Sequence, residues 1–363
     1  MTHADLLRHR LRNQHVSGTP LKKPEDVVRW LGAVQAQDYH GAKWAVAQRA
    51  GAASDAIVER VFAAGAILRT HIMRPTWHFV PPEDLRWMLA LTAPRVNTVC
   101  GSYYRKMKLD ERVFAQSQAV LTQALRGGRH LTRAALSQAL GQAGITSARD
   151  ENIRLVFIIM RAELDGVICS GPRIGKQFTY ALFDERVGRS TRLSSIEARA
   201  ELARRYFTSH GPATLKDYVW WSGLTTADAR AGIDAIQSEL VAEDIAGKIY
   251  WRSRRRPTDG TSPAAAYLLP AFDECFVAYR DRVALDRAQA EEIARQYGRT
   301  IVIDGRVAGT WRRTITNDTA VLAATPFVRF GRRHKAALAE AADRYARFLG
   351  MPVTLTVGHI RSV

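Results

Sequence analysis

The run Ile72-Met73-Arg74-Pro75-Thr76-Trp77-His78-Phe79-Val80 alternates: Met73, Pro75, Trp77 and Phe79 fall on one face, Arg74, Thr76 and His78 on the other. A period of two marks a strand with two unlike faces. Upstream the period is helical. Val27, Val28, Leu31 and Val34 share one face, Pro24 suits a first helical position, and Glu25 and Asp26 complement the positive helix end. A segment over 42–49 and a helix over 54–64, with Ser54 as N-cap, come next. Three helices closed by a β-ribbon over 67–80 is the plan of a winged helix. The Arg74/Thr76/His78 row is then either a binding face or an ordinary solvated strand face.

Just before this ribbon stands Leu31-Gly32-Ala33-Val34-Gln35-Ala36-Gln37-Asp38-Tyr39-His40-Gly41. In a helix, residues two apart point about 200° from each other. Gln35 and Gln37 face one point only if the helix ends near Gln35 and the chain then extends or turns, and Asp38 to Gly41 supply break signals there. The pair is read either as two convergent carboxamides or as a solvated helix end.

The pattern recurs downstream. Residues 82–126 read as helical, interrupted by Tyr103-Tyr104-Arg105-Lys106-Met107-Lys108, and Gly127-Gly128 marks a boundary. Thr132 then caps a helix, a second helix runs to Leu164, and two strands flank the basic turn Gly171-Pro172-Arg173-Ile174-Gly175-Lys176. A third unit begins at Ser195, with a helix over 196–210, Thr214 as N-cap, a turn at Trp220-Trp221-Ser222-Gly223-Leu224-Thr225, a helix over 227–240 and a strand from Lys248. The basic stretch from Arg252 to Pro263 reads as a linker. From Ala266 the character is β, with strands expected at 267–269, 276–279, 300–304, 306–313, 320–326 and 353–357, a helix at 335–349, and Asp304-Gly305 as a two-residue hairpin turn. The expected fold is α+β: winged-helix modules over 1–127 (with a helical extension), 128–190 and 191–264, followed by a β-barrel-like domain over 265–363.

The 363 residues carry 53 Lys and Arg against 35 Asp and Glu, a net charge of +18. Such a surplus favours a polyanionic partner. A GC-rich genome explains a preference for Arg over Lys but not the net charge. The three cysteines are scattered, and no apolar run is long enough to span a bilayer, so the expectation is a soluble, cytoplasmic protein. A monomer, nucleoid-associated through a DNA partner, is also expected. No Walker-type loop, dinucleotide fingerprint, zinc spacing or Gly-x-Ser-x-Gly elbow occurs, and neither cofactor nor metal is expected. Asp273-Glu274 is an acidic pair, but on the expected strand its members diverge.

Several blocks together resemble the AlkZ/YcaQ family of bacterial DNA glycosylases. They are His210-Gly211-Pro212-Ala213-Thr214-Leu215-Lys216-Asp217, Trp220-Trp221-Ser222-Gly223-Leu224, Leu268-Leu269-Pro270-Ala271-Phe272-Asp273-Glu274, Tyr279-Arg280-Asp281-Arg282, Asp304-Gly305-Arg306-Val307-Ala308-Gly309-Thr310-Trp311 and Met73-Arg74-Pro75-Thr76-Trp77-His78. The resemblance runs nearly end to end and implies three tandem winged helices plus a C-terminal β-domain. It further implies that Gln35-Ala36-Gln37 is the catalytic Gln-x-Gln motif of the AlkZ branch, and that Arg74, Thr76 and His78 on the first ribbon and Arg306, Trp311, Arg312 and Arg313 on the hairpin contact DNA. Pro75 stands where the family has Gly in its Arg-Gly-Thr.

The activity so implied is hydrolysis of the base–sugar bond of N7-alkylguanine in double-stranded DNA, bulky adducts and interstrand crosslinks included, as repair or as self-resistance to an alkylating natural product. Fold alone favours another class, a non-catalytic winged-helix regulator. A drug-sequestering protein is a third reading.

Overall fold

The computed structural model describes residues 3–51, 53–146, 151–188, 190–254, 265–280, 287–295 and 298–360. Asp281, Arg282 and most of the basic linker lie outside the described residues.

Helix α1 (His3–Asn13) precedes α2 (Pro24–Leu31), β1 (Val34–Gln35), α3 (Tyr39–Ala47), α4 (Asp55–Ala63), β2 (Leu68–Ile72) and β3 (Arg74–Val80). The strand order is β1-β3-β2. Two long helices, α5 (Leu85–Lys106) and α6 (Glu111–Leu125), lead to β4 (Leu131–Thr132), α7 (Arg133–Gln142), α8 (Glu151–Leu164), β5 (Ile168–Ser170) and β6 (Thr179–Leu182). Their order, β4-β6-β5, repeats the first. After α9 (Phe183–Val187) and α10 (Ser195–Ser209) come α11 (Leu215–Ser222), α12 (Thr226–Ala235), β7 (Leu240–Ile245) and β8 (Lys248–Ser253). Here Ala213 bridges to Trp251 of β8 in place of a full first strand. Three times, then, the chain runs helix, short strand, two helices, hairpin, with the short strand against the hairpin's second arm.

Local chemistry sets the boundaries. Ser54, Thr132, Thr214 and Thr225 cap α4, α7, α11 and α12 through their hydroxyls. Tyr103 to Leu109 contains the break between α5 and α6 that its mixed composition predicts. The residues 220–222 expected in a turn instead complete α11, whose C-cap is the left-handed Gly223.

The last part comprises β9 (Ala266–Leu269), the one-turn α13 (Glu274–Val277), α14 (Arg287–Arg295), β10 (Thr300–Ile303), β11 (Arg306–Ile315), β12 (Ala320–Pro326), α15 (Arg332–Leu349) and β13 (Val353–Val357). The strand expected at 276–279 is thus α13, because Asp273 accepts a bond from Cys275 N and caps a helix there. The expected barrel is corrected too. The sheet is open, in the order β13-β12-β11-β10-β9, with β13 parallel to β12. Helices cover both faces: Ile301, Ile303, Trp311 and Leu322 pack with Leu338, Ala341 and Tyr345 of α15, while Leu269, Val302 and Val307 pack with Leu7 and Leu11 of α1. A sheet covered on both faces has no need to curl closed.

One continuous apolar core runs from Ala33 to Tyr279 through all three repeated units. The buried Arg49–Asp273 pair, with contacts at 2.7 and 2.9 Å, ties the turn after α3 to the segment after β9. Losing one partner of such a pair costs about 3–5 kcal/mol. No described helix is long and apolar enough to cross a membrane.

Candidate active site

Helix α2 stops at Leu31, three residues before the apolar spacing ends at Val34, because Gly32 adopts φ +77° and closes the turn. The chain then extends. Val34 and Gln35 pair with Phe79 and His78 of β3, and Ala36 N donates to Trp77 O at 2.7 Å. Gln35 ends β1, and Gln37 follows it in a bend just before α3. Gln35 is buried and Gln37 exposed. Asp38 ends the extended segment by capping α3, accepting from Gly41 N at 3.0 Å, and its carboxylate also faces Arg299 at 3.5 Å and Arg313 at 3.9 Å.

Directly paired residues on neighbouring strands project to one face. Gln35, His78 and Thr70 form such a row across β1, β3 and β2. Thr76 and Arg74 continue the same face along β3. His78 is fully buried, its Nδ1 2.9 Å from Thr76 O and its Nε2 3.4 Å from Arg74 Nη2. The network assigns the proton to Nδ1, which donates to the carbonyl, and leaves Nε2 to accept from Arg74. Burial, then the neighbouring guanidinium, holds His78 well below the usual histidine range. Burial also lowers Arg74, with the Glu274 carboxylate opposing it. Among the described residues, three side-chain atoms on this face are buried without a hydrogen-bond partner: Gln35 Oε1, Arg74 Nε and Thr76 Oγ1.

Glu274 is the site residue that sequence reasoning passed over. Its Oε1 accepts Gln35 N at 2.7 Å, its Oε2 accepts Trp221 Nε1 at 3.1 Å, and the same oxygen is 3.4 Å from His210 Nε2. Asp273 turns away to Arg49, so the acidic pair diverges as expected, though from a helix N-terminus and not a strand. Glu274 thus draws residues from the His210, Trp221 and Pro270 blocks onto the backbone of Gln35. The available signal was that these blocks share no chemistry of their own.

The hairpin residues separate. Asp304 and Gly305 adopt φ +53° and +73°, the two positive values that a two-residue turn requires. Arg8 packs on this turn, its Nε 3.4 Å from Asp304 O. Arg306 and Arg312 are exposed. Trp311 is corrected: it is 2% exposed, donates from Nε1 to Leu269 O at 2.8 Å and packs edge-on against Tyr345, so it is a core residue and offers DNA no surface. Arg313 turns inward to Tyr345 Oη at 2.6 Å and to Asp38.

The profile of the family described as "DNA glycosylase AlkZ-like" matches residues 28–348. A curated relative, the "Interstrand DNA cross-link repair glycosylase" of Streptomyces sahachiroi, is 26% identical over 360 residues, which cover 94% of this chain and 95% of that protein. The solved structure of the Streptomyces sahachiroi DNA glycosylase AlkZ matches with a TM-score of 0.82 at 23% identity, over 99% of this chain and 100% of that one. At that identity the structural match speaks to the fold. The family match covers most of the chain and decides between enzyme and regulator: this chain belongs to the AlkZ-like DNA glycosylases, hydrolases of N-glycosyl bonds.

Proposed function

We propose that the chain hydrolyses the N-glycosidic bond of N7-alkylguanine in duplex DNA, bulky adducts and interstrand crosslinks included. The observation that carries this reading is the idle acceptor Gln35 Oε1, with the idle Arg74 Nε and Thr76 Oγ1 on the same strand face. Buried polar atoms normally have partners. Three without one, on one face, mark a place that a bound molecule completes.

The chemistry follows from the lesion. Loss of a base passes through an oxocarbenium-like transition state. An N7-alkylated guanine already carries positive charge and leaves as a neutral base, so it needs no acid. What remains is to place water at the sugar carbon. A carboxamide oxygen accepts a bond from water and orients it, though it is too weak a base to deprotonate it outright. Gln35 from below and Gln37 at the exposed lip hold that water in this scheme. The nearby carboxylates are already committed, Asp38 to Gly41 N and two arginines, Glu274 to Gln35 N and Trp221. A site short of free acids suits a leaving group that needs none.

The same reading takes the three repeated units, within 1–127, 128–190 and 191–264, as winged helices set along the duplex, and 265–363 as a further DNA-facing unit. Arg74 and Thr76 meet the strand at the lesion, His78 aligns Arg74, and the exposed Arg306 and Arg312 meet phosphates. The Streptomyces relative is an interstrand DNA cross-link repair glycosylase. An exposed Gln37 extends that substrate to this chain, because a base tethered to both strands is not available for flipping into a closed pocket. Self-resistance to a DNA-alkylating natural product is the setting in which such lesions arise.

The test is release of modified base, followed by alkaline strand cleavage, from duplexes carrying 7-methylguanine, a bulky N7 adduct, an N7–N7 crosslink or the neutral base hypoxanthine. Release is expected from the cationic lesions alone. Release of hypoxanthine at a similar rate, or none from any N7 adduct, overturns the lesion assignment.

A further inference from the structure

A cleft of about 980 Å³ opens between the first and second repeated units. Its floor includes Trp77, which neighbours His78 on β3 and so projects from the opposite face of the sheet to the glutamine row. Arg69 of β2 lies beside it. Arg69 is only 8% exposed and has no carboxylate partner among the described residues. Its Nε donates to Ala36 O at 3.0 Å, and its guanidinium lies between the rings of Trp77 at 4.3 Å and Phe178 at 4.4 Å. The two aromatic rings fix the plane, and Ala36 takes the Nε proton. Nη1 and Nη2 are the donors that remain, on a guanidinium that lines the cleft.

Two further features carry the same sign. The first turn of the ten-residue α7 borders the cleft, so the positive end of that helix faces it. Lys176 stands exposed on the rim, in the basic turn that the sequence singles out and the glutamine chemistry leaves unused. Leu155 and Tyr180 add apolar wall. The volume is in the range of small-molecule sites, roughly 300–1,000 Å³.

We propose that this cleft is a nucleotide site, with the phosphate held by Arg69 and Lys176 at the start of α7 and the base laid against Leu155 and Tyr180. A rigid planar fork suits bidentate recognition of phosphate. A guanidinium buried without an anion is costly, and a bound phosphate repays that cost. Burial brings Arg69 down to about 10, which leaves it charged at neutral pH. The nucleotide comes either from a DNA strand that passes behind the glutamine segment or from solution. Ala36 lies between the two glutamines, so an occupant of the cleft sits one hydrogen bond from them.

The experiment is calorimetric titration of the full-length protein with 2′-deoxyguanosine 5′-monophosphate, with 2′-deoxyguanosine and with inorganic phosphate. Saturable binding of the nucleotide is expected, with both fragments weaker by about tenfold or more, and with Lys176→Glu weakening the nucleotide by about tenfold at an unchanged unfolding midpoint. Arg69→Lys, which keeps the charge and loses the fork, is expected to weaken it as well. No saturable binding, equal binding of either fragment, or unaltered binding by Lys176→Glu overturns the site. The source is settled by competition. Nucleotide that slows base release at subsaturating DNA in the wild type but not in Lys176→Glu assigns the cleft to the DNA path, and binding without competition assigns it to free nucleotide. The proposal rests on the glycosylase reading for its purpose but not for its binding. Nucleotide binding without release of any N7 adduct would therefore overturn the lesion assignment and leave the cleft standing.

Discussion

Gln35→Ala removes an acceptor that has no donor among the described residues. Deleting half of a buried hydrogen bond costs stability; deleting an unsatisfied group does not. Base release is therefore expected to fall about 10²–10³-fold, the range for losing a group that positions or activates the attacking water, while the unfolding midpoint stays within about 2 °C. A midpoint that drops in step with activity would show Gln35 to be a structural residue. His78 gives a second prediction at this scale. Its folded value lies well below the ordinary 6.5, so below 6.5 the unfolded chain binds the proton that the folded one refuses. Stability then rises with pH across that window, carries no penalty from this group above it, and is lost on acidification at up to about 1.4 kcal/mol per pH unit. Urea unfolding between pH 7.5 and 5 checks this. His78→Asn keeps a donor for Thr76 O and should flatten the slope, and an unchanged slope would place the titration elsewhere.

Elements are joined at few, close points, and Gly223 is the sharpest. It caps α11 at φ +70°, and a Cβ there would overlap the carbonyl oxygen of Met73, just before Arg74. Gly223→Ala adds left-handed strain to a backbone clash and should cost about 2–4 kcal/mol. It should also lower base release, because the clash moves the start of β3. Full activity at a lowered midpoint would mean that the Arg74 end of β3 has no part in excision. This contact explains what was legible in the sequence. The alternation over 72–80, the caps at Ser54, Thr132 and Thr214 and the Asp304-Gly305 turn are local signals, and local signals placed those elements. Helix α2 ends at Leu31, not near Gln35, because the apolar spacing continues to Val34 on what is a buried strand. Trp311 and Glu274 were misplaced for another reason. Their partners, Tyr345 for one and Gln35, Trp221 and His210 for the other, are far away in sequence, and no local pattern records which face of a strand or helix end a distant element will cover.

Over the whole molecule, charge and rigidity divide the work. One core spans the repeated units, and the terminal sheet is fastened to α1 and α3 through Leu7, Leu11 and Trp44. The basic side chains of the described residues, which carry most of the chain's surplus of 18 positive charges, therefore sit on a fixed frame. A frame that meets a duplex with six or more Lys or Arg releases as many condensed counterions, so affinity for undamaged duplex should fall about 10³-fold between about 50 and 200 mM salt. The part proposed for the glutamine pair differs. The pair is neutral and part-buried, and its segment is held by short bonds that Gln35 N donates to Glu274 and Ala36 N to Trp77 O, both beyond the reach of screening. With protein in saturating excess over DNA carrying 7-methylguanine, the single-turnover rate of release should consequently stay within about twofold over the same salt range, even as the protein concentration needed for saturation climbs. A rate that fell in parallel with affinity would mean that mobile surface charges take part in the excision step itself, and a flat binding curve would mean that the basic surplus is not what meets DNA.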